Sequence, residues 1–149
     1  METKFMPSPL TQWTCDTCGD PVVEAEGYVI WRVTDHKSHD FRIIHQTRCD
    51  DKDLQSSLPL ADLVGPAGLA KLLSFLSYGR LDQLKETGAR PNRIGDIDEF
   101  VDVIRRVQTP FYEQARPLFS LAEVQESMAD WNEVAPYLPN ELERLVASQ

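Results

Sequence analysis

The sequence predicts an α+β fold: a small zinc-stapled antiparallel β meander packed on a C-terminal bundle of four to five helices. Three observations carry that reading. Cys15-x-x-Cys18 is answered downstream by His45-x-x-x-Cys49. The residues between them are β-branched and aromatic, as strands are. After Asp53 the apolar residues recur at helical spacing.

The chain has 149 residues, enough for one ordinary domain or for a small module joined to a helical one. With 42% hydrophobic and 26% charged residues it can bury a core. The formal net charge is −9, with a pI near 4.7. That balance opposes tight binding of a phosphate backbone, which needs clustered Lys and Arg. No apolar run approaches the ~18 residues of a membrane span. Met1–Pro7 lacks the charged-then-apolar layout of a signal peptide. The expected setting is therefore cytoplasmic, without membrane association. Three cysteines, an odd number in a reducing compartment, point to a metal or free thiols rather than a disulfide framework.

Residues 1–14 read as a leader with prolines, and Trp13 is placed to cover a metal site. Val22-Val23 and Tyr28–Val33 read as strands, with a turn at Glu24–Gly27. Asp35–Asp40 reads as a polar loop. Phe41–His45 reads as a strand whose Phe41, Ile43 and His45 share a face by the period of two. Such a sheet is marginal alone and needs a staple or helices behind it. Cys49–Asp53 is an acidic hinge, which divides the chain into a zinc-ribbon-like β module over residues 1–50 and a helical region over 51–149. The two are expected to fold together.

In the second part, Leu60–Val64 reads as a short helix or turn. A helix then starts with Pro66, and Leu69, Leu72, Leu73 and Leu76 form its apolar stripe, with Gly79 closing it. Arg80–Lys85 adds a further turn, and Gly88–Asn92 a loop. Asp96 and Glu99 form a capping box for a helix carrying Phe100, Val103, Ile104 and Val107. Thr109-Pro110 ends that helix. The next carries Phe111, Ala115, Leu118 and Phe119, with a break at Pro117. Ser120 with Glu123 opens another, striped by Leu121, Val124, Met128, Trp131 and Ala135. Asn140 with Glu143 opens a terminal helix. Phe111 and Trp131 are assigned to the core, and Tyr112 and Tyr137 to the surface.

The metal reading rests on ligand chemistry. Zn²⁺ takes four nitrogen or sulfur ligands in a tetrahedron, and a closed four-ligand set is structural. Cys15 and Cys18 grip from one tight turn, and His45 and Cys49 complete a Cys3His set. His36 and His39 are loop alternatives to His45. If one of them binds, His45 is an ordinary strand histidine. The opposing reading leaves three reduced, partly buried thiols. A thioredoxin-like role for Cys15 and Cys18 needs the first Cys at a helix N-terminus, whereas strand residues follow here.

Other constellations have plainer readings. Asp35-His36 and His39-Asp40 resemble acid–base pairs without a nucleophile and read as a solvated loop. Asp50, Asp51 and Asp53 lack the Gly and distal Glu of a calcium loop. Arg80, Lys85, Arg90 and Arg93 form the one basic interval and read as surface decoration or a small contact patch. Arg105 and Arg106 read as the polar side of their helix.

Several stretches together resemble a group of small uncharacterised bacterial proteins. They are Cys15-Asp16-x-Cys18-Gly19, Gly27-Tyr28-Val29-x-Trp31, Phe41-Arg42-Ile43-x-His45 and Cys49-Asp50. Downstream they are Leu63-x-Gly65-Pro66-x-Gly68-Leu69, Leu72–Leu76, Glu99-Phe100-Val101 and Pro110–Arg116. The resemblance spans residues 13–119. It implies one co-folded unit, groups His45 and Cys49 with the Cys pair, and adds no activity.

The function expected is a non-catalytic interaction or regulatory protein with a structural zinc and a protein partner for its helical half. Two alternatives stand beside it. One is a nucleic-acid-associated zinc-ribbon accessory factor, which the acidity opposes. The other is a small enzyme with a site between sheet and helices, using His36 or His39.

Overall fold

The computed structural model describes residues 10–51, 53, 56–80 and 92–149. Five strands come first: β1 (Gln12–Thr14), β2 (Pro21–Val23), β3 (Gly27–Thr34), β4 (Lys37–His45) and β5 (Ser56–Pro59). Among the described residues, five helices follow: α1 (Gly65–Leu76), α2 (Ile97–Gln108), α3 (Tyr112–Ala115), α4 (Ala122–Met128) and α5 (Pro139–Ala147). The fold is α+β, with antiparallel sheets and the helices in the C-terminal part.

β1 and β2 form a two-stranded ribbon in which Trp13 faces Val22, and both are buried. The larger sheet has the order β4-β3-β5. Its hairpin runs from Gly27 opposite His45 to Thr34 opposite Lys37. The polar stretch after Thr34 is a two-residue turn rather than a loop. Asp35 and His36 take φ of 52° and 64°, as a type I′ hairpin turn demands of both central residues. Lys37–Asp40 therefore belongs to β4.

The register slips between Ile30 and Arg32, where β4 carries an extra residue. Asp40 absorbs the bulge at φ 57°, a position that Asp tolerates better than bulkier residues. The neighbouring Phe41 N–H donates to Glu99 Oε1 at 2.9 Å. Asp96 Oδ1 does cap α2, accepting from Glu99 N at 3.1 Å. Half of the expected capping box is thus made, while the Glu99 side chain serves the bulge of the sheet instead.

β5 follows the acidic hinge and adds a strand that helical periodicity had masked. It pairs with β3 through Tyr28 opposite Pro59 and Trp31 opposite Ser56. One core cluster then joins Trp13, Val22, Val29, Ile43 and Ile44 to Leu60, Leu72, Phe75, Phe100 and Val107. A knot of rings from Trp31, Phe41, Phe75 and Phe100 welds the sheet to α1 and α2, with centroids 5.3 to 6.4 Å apart.

α1 is rotated from the expected stripe. Gly68, Leu72 and Phe75 are buried, whereas Leu69 and Leu73 are 39% and 51% exposed. Both stripes satisfy helical spacing, and close approach decides between them. A Cβ on Gly68 would lie 2.1 Å from the Leu63 carbonyl carbon, so only glycine lets α1 sit this near the preceding turn.

The C-terminal helices depart further from expectation. α2 ends at Gln108 with Thr109 as its C-cap, and α3 stops at Ala115, before Pro117. α4 starts after Leu121 with no side-chain cap from Ser120, and it ends at Met128. Of its expected stripe only Val124 is buried, and Trp131 is 39% exposed rather than core. α5 begins at Pro139, with Leu138 rather than Asn140 as the cap. Tyr112 is buried, not exposed, in a second small core with Ala115 and Leu142, against which the half-buried Tyr137 and Phe111 pack. Residues 81–91, with Lys85 and Arg90, and residues 1–9 of the leader lie outside the described residues.

Candidate metal centre

The chain turns sharply after Cys15. Gly19 N–H bonds back to Cys15 O at 2.9 Å, and Gly19 itself takes φ 79°, which costs a glycine nothing. The turn aims the backbone N–H groups of Thr17 and Cys18 at Cys15 Sγ, 3.4 and 3.5 Å away. Burial pushes the Cys15 thiol up, but these two donors, with further hydrogen bonds from the His45 backbone and the Cys18 side chain, more than offset it and bring it down from 9.0 to about 6. A thiol surrounded in this way is prepared to be a thiolate before any cation arrives.

β4 delivers the second pair. His45 is its last residue, and Thr47, at φ 67°, turns the chain so that Cys49 N–H meets His45 O at 3.2 Å. The His45 ring is held at its far edge, where Nε2 lies 2.8 Å from Pro21 O. A carbonyl only accepts, so Nε2 carries the proton and Nδ1 keeps its lone pair. Nδ1 faces the sulfurs, 3.4 Å from Cys18 Sγ and 3.7 Å from Cys49 Sγ. A carbonyl behind the imidazole is the outer partner that metal-bound histidines use.

The ligand atoms of Cys15, Cys18, His45 and Cys49 all lie within 4.8 Å of one another, and the group can hold a metal ion. Cys15, His45 and Cys49 are buried and Cys18 is exposed. Burial and the neighbouring Cys15 and Cys18 sulfurs push the Cys49 thiol up to about 11. Three thiolates crowded together repel, and a divalent cation among them removes that conflict.

The alternative ligands lie elsewhere. His36 is the second residue of the hairpin turn, at the opposite end of β3 from the cluster. His39 Nε2 is 2.8 Å from Thr34 Oγ1, and its Nδ1 is 3.4 Å from Asp40. Asp51 pairs with Arg32 at 3.8 Å. Cys15 stands at a β-ribbon turn, not at a helix N-terminus, which removes the thioredoxin-like geometry.

Behind the cluster lies a buried ion-paired group. Arg106, expected on the polar side of α2, is 2% exposed. Its Nε and Nη2 each bond a Glu113 oxygen at 2.7 Å, its Nη1 bonds Asp16 Oδ2 at 2.7 Å, and Nη2 also reaches Thr14 O. Trp13 Nε1–H donates to the Arg106 carbonyl at 2.8 Å, so Trp13 braces α2 from within the core it shares with Cys15. Burial works against the Arg106 charge, and Glu113 and Asp16 hold it firmly cationic. One signal was present in the sequence. Arg106 lies three residues after Val103 and one before Val107, on the face that α2 buries.

The chain was compared with protein-family models, curated proteins and solved structures, and none of them matches it.

Proposed function

We propose that the cluster binds one Zn²⁺ as a closed structural site, and that the protein is a non-catalytic interaction or regulatory protein of the cytoplasm. The observation that carries the reading is the pairing of three thiols with a histidine whose tautomer is already set. Bond lengths of about 2.3 Å to sulfur and 2.05 Å to nitrogen at tetrahedral angles put ligand nitrogen and sulfur about 3.6 Å apart. The two nitrogen–sulfur distances here, 3.4 and 3.7 Å, bracket that value. Thiolates and imidazole suit zinc better than the hard cations magnesium and calcium. Four protein ligands leave no open position for substrate or water, which favours a structural role over a catalytic one. A reducing compartment keeps such thiols available to metal.

The interaction half of the reading is supported by the surface of the helical part. Trp131, Val134 and Leu138 are 39%, 58% and 44% exposed within eight residues of chain. Exposed tryptophan is among the side chains most often found at the centre of interfaces.

The test is metal analysis of protein purified without added metal, beside Cys15→Ser. The reading expects one zinc per chain, lost in the variant together with the native circular dichroism spectrum. Crosslinking in the source cell then compares wild type with Trp131→Glu. A defined protein partner should be captured by the first and lost by the second while zinc content is unchanged. A folded, metal-free Cys15→Ser protein overturns the structural zinc.

A further inference from the structure

A cleft of about 410 Å³ opens between the sheet and α1, and the metal centre does not use it. Trp31 and Val33 of β3, His36 of the hairpin turn, Ser38 of β4, Phe75 of α1 and Arg93 line it. The metal cluster sits where Gly27 faces His45, and the cleft sits toward Thr34 and Lys37, so the two are on the order of 15–20 Å apart along the strand.

The cleft is within the size range of small-molecule sites, and its make-up is of that kind: an aromatic floor with a few convergent polar groups. Trp31 and Phe75 meet edge to face, with centroids 5.5 Å apart, and are only 7% and 8% exposed. The Arg93 guanidinium lies over the Phe75 ring at 4.7 Å. No carboxylate pairs with it among the described residues, in a chain with 24 acidic side chains. A cation beside an apolar cleft, stacked on a ring and without a counter-ion among the described residues, suits an anionic group.

Arg93 is also pinned. Its N–H donates to Phe75 O at 3.1 Å and its carbonyl accepts from Ser38 N at 2.6 Å. Gly95 N–H returns to Ser38 O at 2.9 Å, Ile94 N–H caps Asn92 Oδ1 at 2.8 Å, and Lys37 Nζ holds the Asn92 carbonyl. Residues 92–95 are thus fastened by their backbone to both the hairpin and α1, which fixes where the Arg93 side chain leaves the chain beside the Phe75 ring. Ser38 is buried, with both backbone groups spent on this lacing, and no described residue bonds its hydroxyl.

We propose that this cleft binds a small aromatic carboxylate, the ring on the Trp31–Phe75 floor and the carboxylate on Arg93. Ser38 Oγ–H donates a second hydrogen bond to the carboxylate, and His36 closes the rim. The proposal stands apart from the zinc and interaction readings, since no cleft residue belongs to the metal cluster.

The experiment titrates full-length, metal-replete protein with benzoate, benzamide and acetate, followed by amide chemical-shift mapping. Benzoate is expected to saturate with a Kd on the order of 1 mM, as suits so small a probe. Its shifts should centre on Val33, Ser38 and Arg93. Benzamide should bind at least tenfold more weakly, and acetate should leave the cleft amides unmoved. Arg93→Gln should weaken benzoate at least tenfold without changing benzamide, and Arg93→Lys should recover part of the loss. Val33→Trp, which fills the cleft, should abolish the shifts and covers the case in which an Arg93 variant fails to fold. Equal affinity for benzoate and benzamide, an undiminished Arg93→Gln, or shifts that avoid the cleft would each overturn the proposal.

Discussion

Asp16 stands between two candidate metal ligands, Cys15 and Cys18, and its Oδ2 accepts from Arg106 Nη1 at 2.7 Å. The same oxygen accepts from Ile43 N–H at 2.8 Å, while Asp16 N–H donates to Ile43 O at 2.8 Å. The metal turn is thereby tied to β4 and to α2 through a single carboxylate. The cluster is a tertiary joint between ribbon, sheet and helix, not an isolated knuckle.

Arg106 should be the costliest polar position in the chain. Arg106→Met leaves the buried Glu113 carboxylate without its counter-charge and with only the Thr14 N–H as a donor at 3.1 Å, and breaking such a pair from one side costs about 3–5 kcal/mol. The double variant Arg106→Met/Glu113→Leu removes both charges and should recover much of the loss. Urea denaturation of the three proteins measures this. A double variant no more stable than Arg106→Met would sink the account.

Metal removal should unfold more than the ribbon. Structural zinc contributes on the order of 10 kcal/mol of apparent free energy in small modules. Chelation by a strong zinc ligand should therefore lower the thermal midpoint and perturb Trp13 and α2 together. Helical circular dichroism and indole fluorescence, recorded on the same sample, should change in one transition. His45→Ala should behave like Cys15→Ser, whereas His36→Ala and His39→Ala should keep the metal.

Acid should weaken the α2–α3 junction through Asp102. Burial raises its pKa, but bonds from Arg116 and Tyr112 outweigh that and hold it below its ordinary value of 3.8. A carboxyl depressed in the folded state adds stability that is fully present above its unfolded pKa and is lost as pH falls through the folded one. The loss therefore belongs below about pH 4. Asp102→Asn should be less stable at pH 7, and its stability should fall less steeply than wild type below pH 4. Denaturation midpoints at pH 7 and pH 3 give the comparison.

The hairpin turn should accept improvement. Asp35 and His36 both sit at positive φ, where Asn-Gly is the preferred pair. Asp35→Asn/His36→Gly should stabilise by about 0.5–1 kcal/mol, read as a raised urea midpoint at unchanged slope.

Gly68→Ala should fail in the opposite direction. The added methyl meets backbone atoms of Leu63, which cannot swing aside as a side-chain tip can. A loss of several kcal/mol is expected, against the gain of about 1 kcal/mol that Gly→Ala brings to an open helix. A thermal melt distinguishes the two signs.

The α+β class, the β3–β4 pairing, the α2 cap at Asp96 and a Cys/His group built on Cys15, Cys18 and Cys49 were legible in the residues. All depend on local periods or on ligand chemistry, which a linear pattern carries. The two-residue turn at Asp35-His36 was hidden because neither residue is the Gly or Asn that usually announces positive φ. β5 was hidden because Ser56–Pro59 has no alternation of its own and is a strand only because β3 offers an edge. Tyr112 and Trp131 exchanged their expected places because aromatic side chains suit core and surface equally until neighbours are known.

By itself the sequence determined which atoms can meet a metal and which segments can be strands or helices, since donor type and hydrophobic period are properties of nearby residues. Only the tertiary structure decided that His45 rather than His36 or His39 joins the sulfurs, that α1 buries Gly68 instead of Leu69, and that Arg106 goes inside. Those outcomes turn on contacts between separate elements: the Pro21 carbonyl for His45, the turn at Leu63 for Gly68, and Glu113 with Asp16 for Arg106. A buried charge is stable only when its counter-charges are already waiting in place, and their arrival is a fact of folding that spacing does not encode.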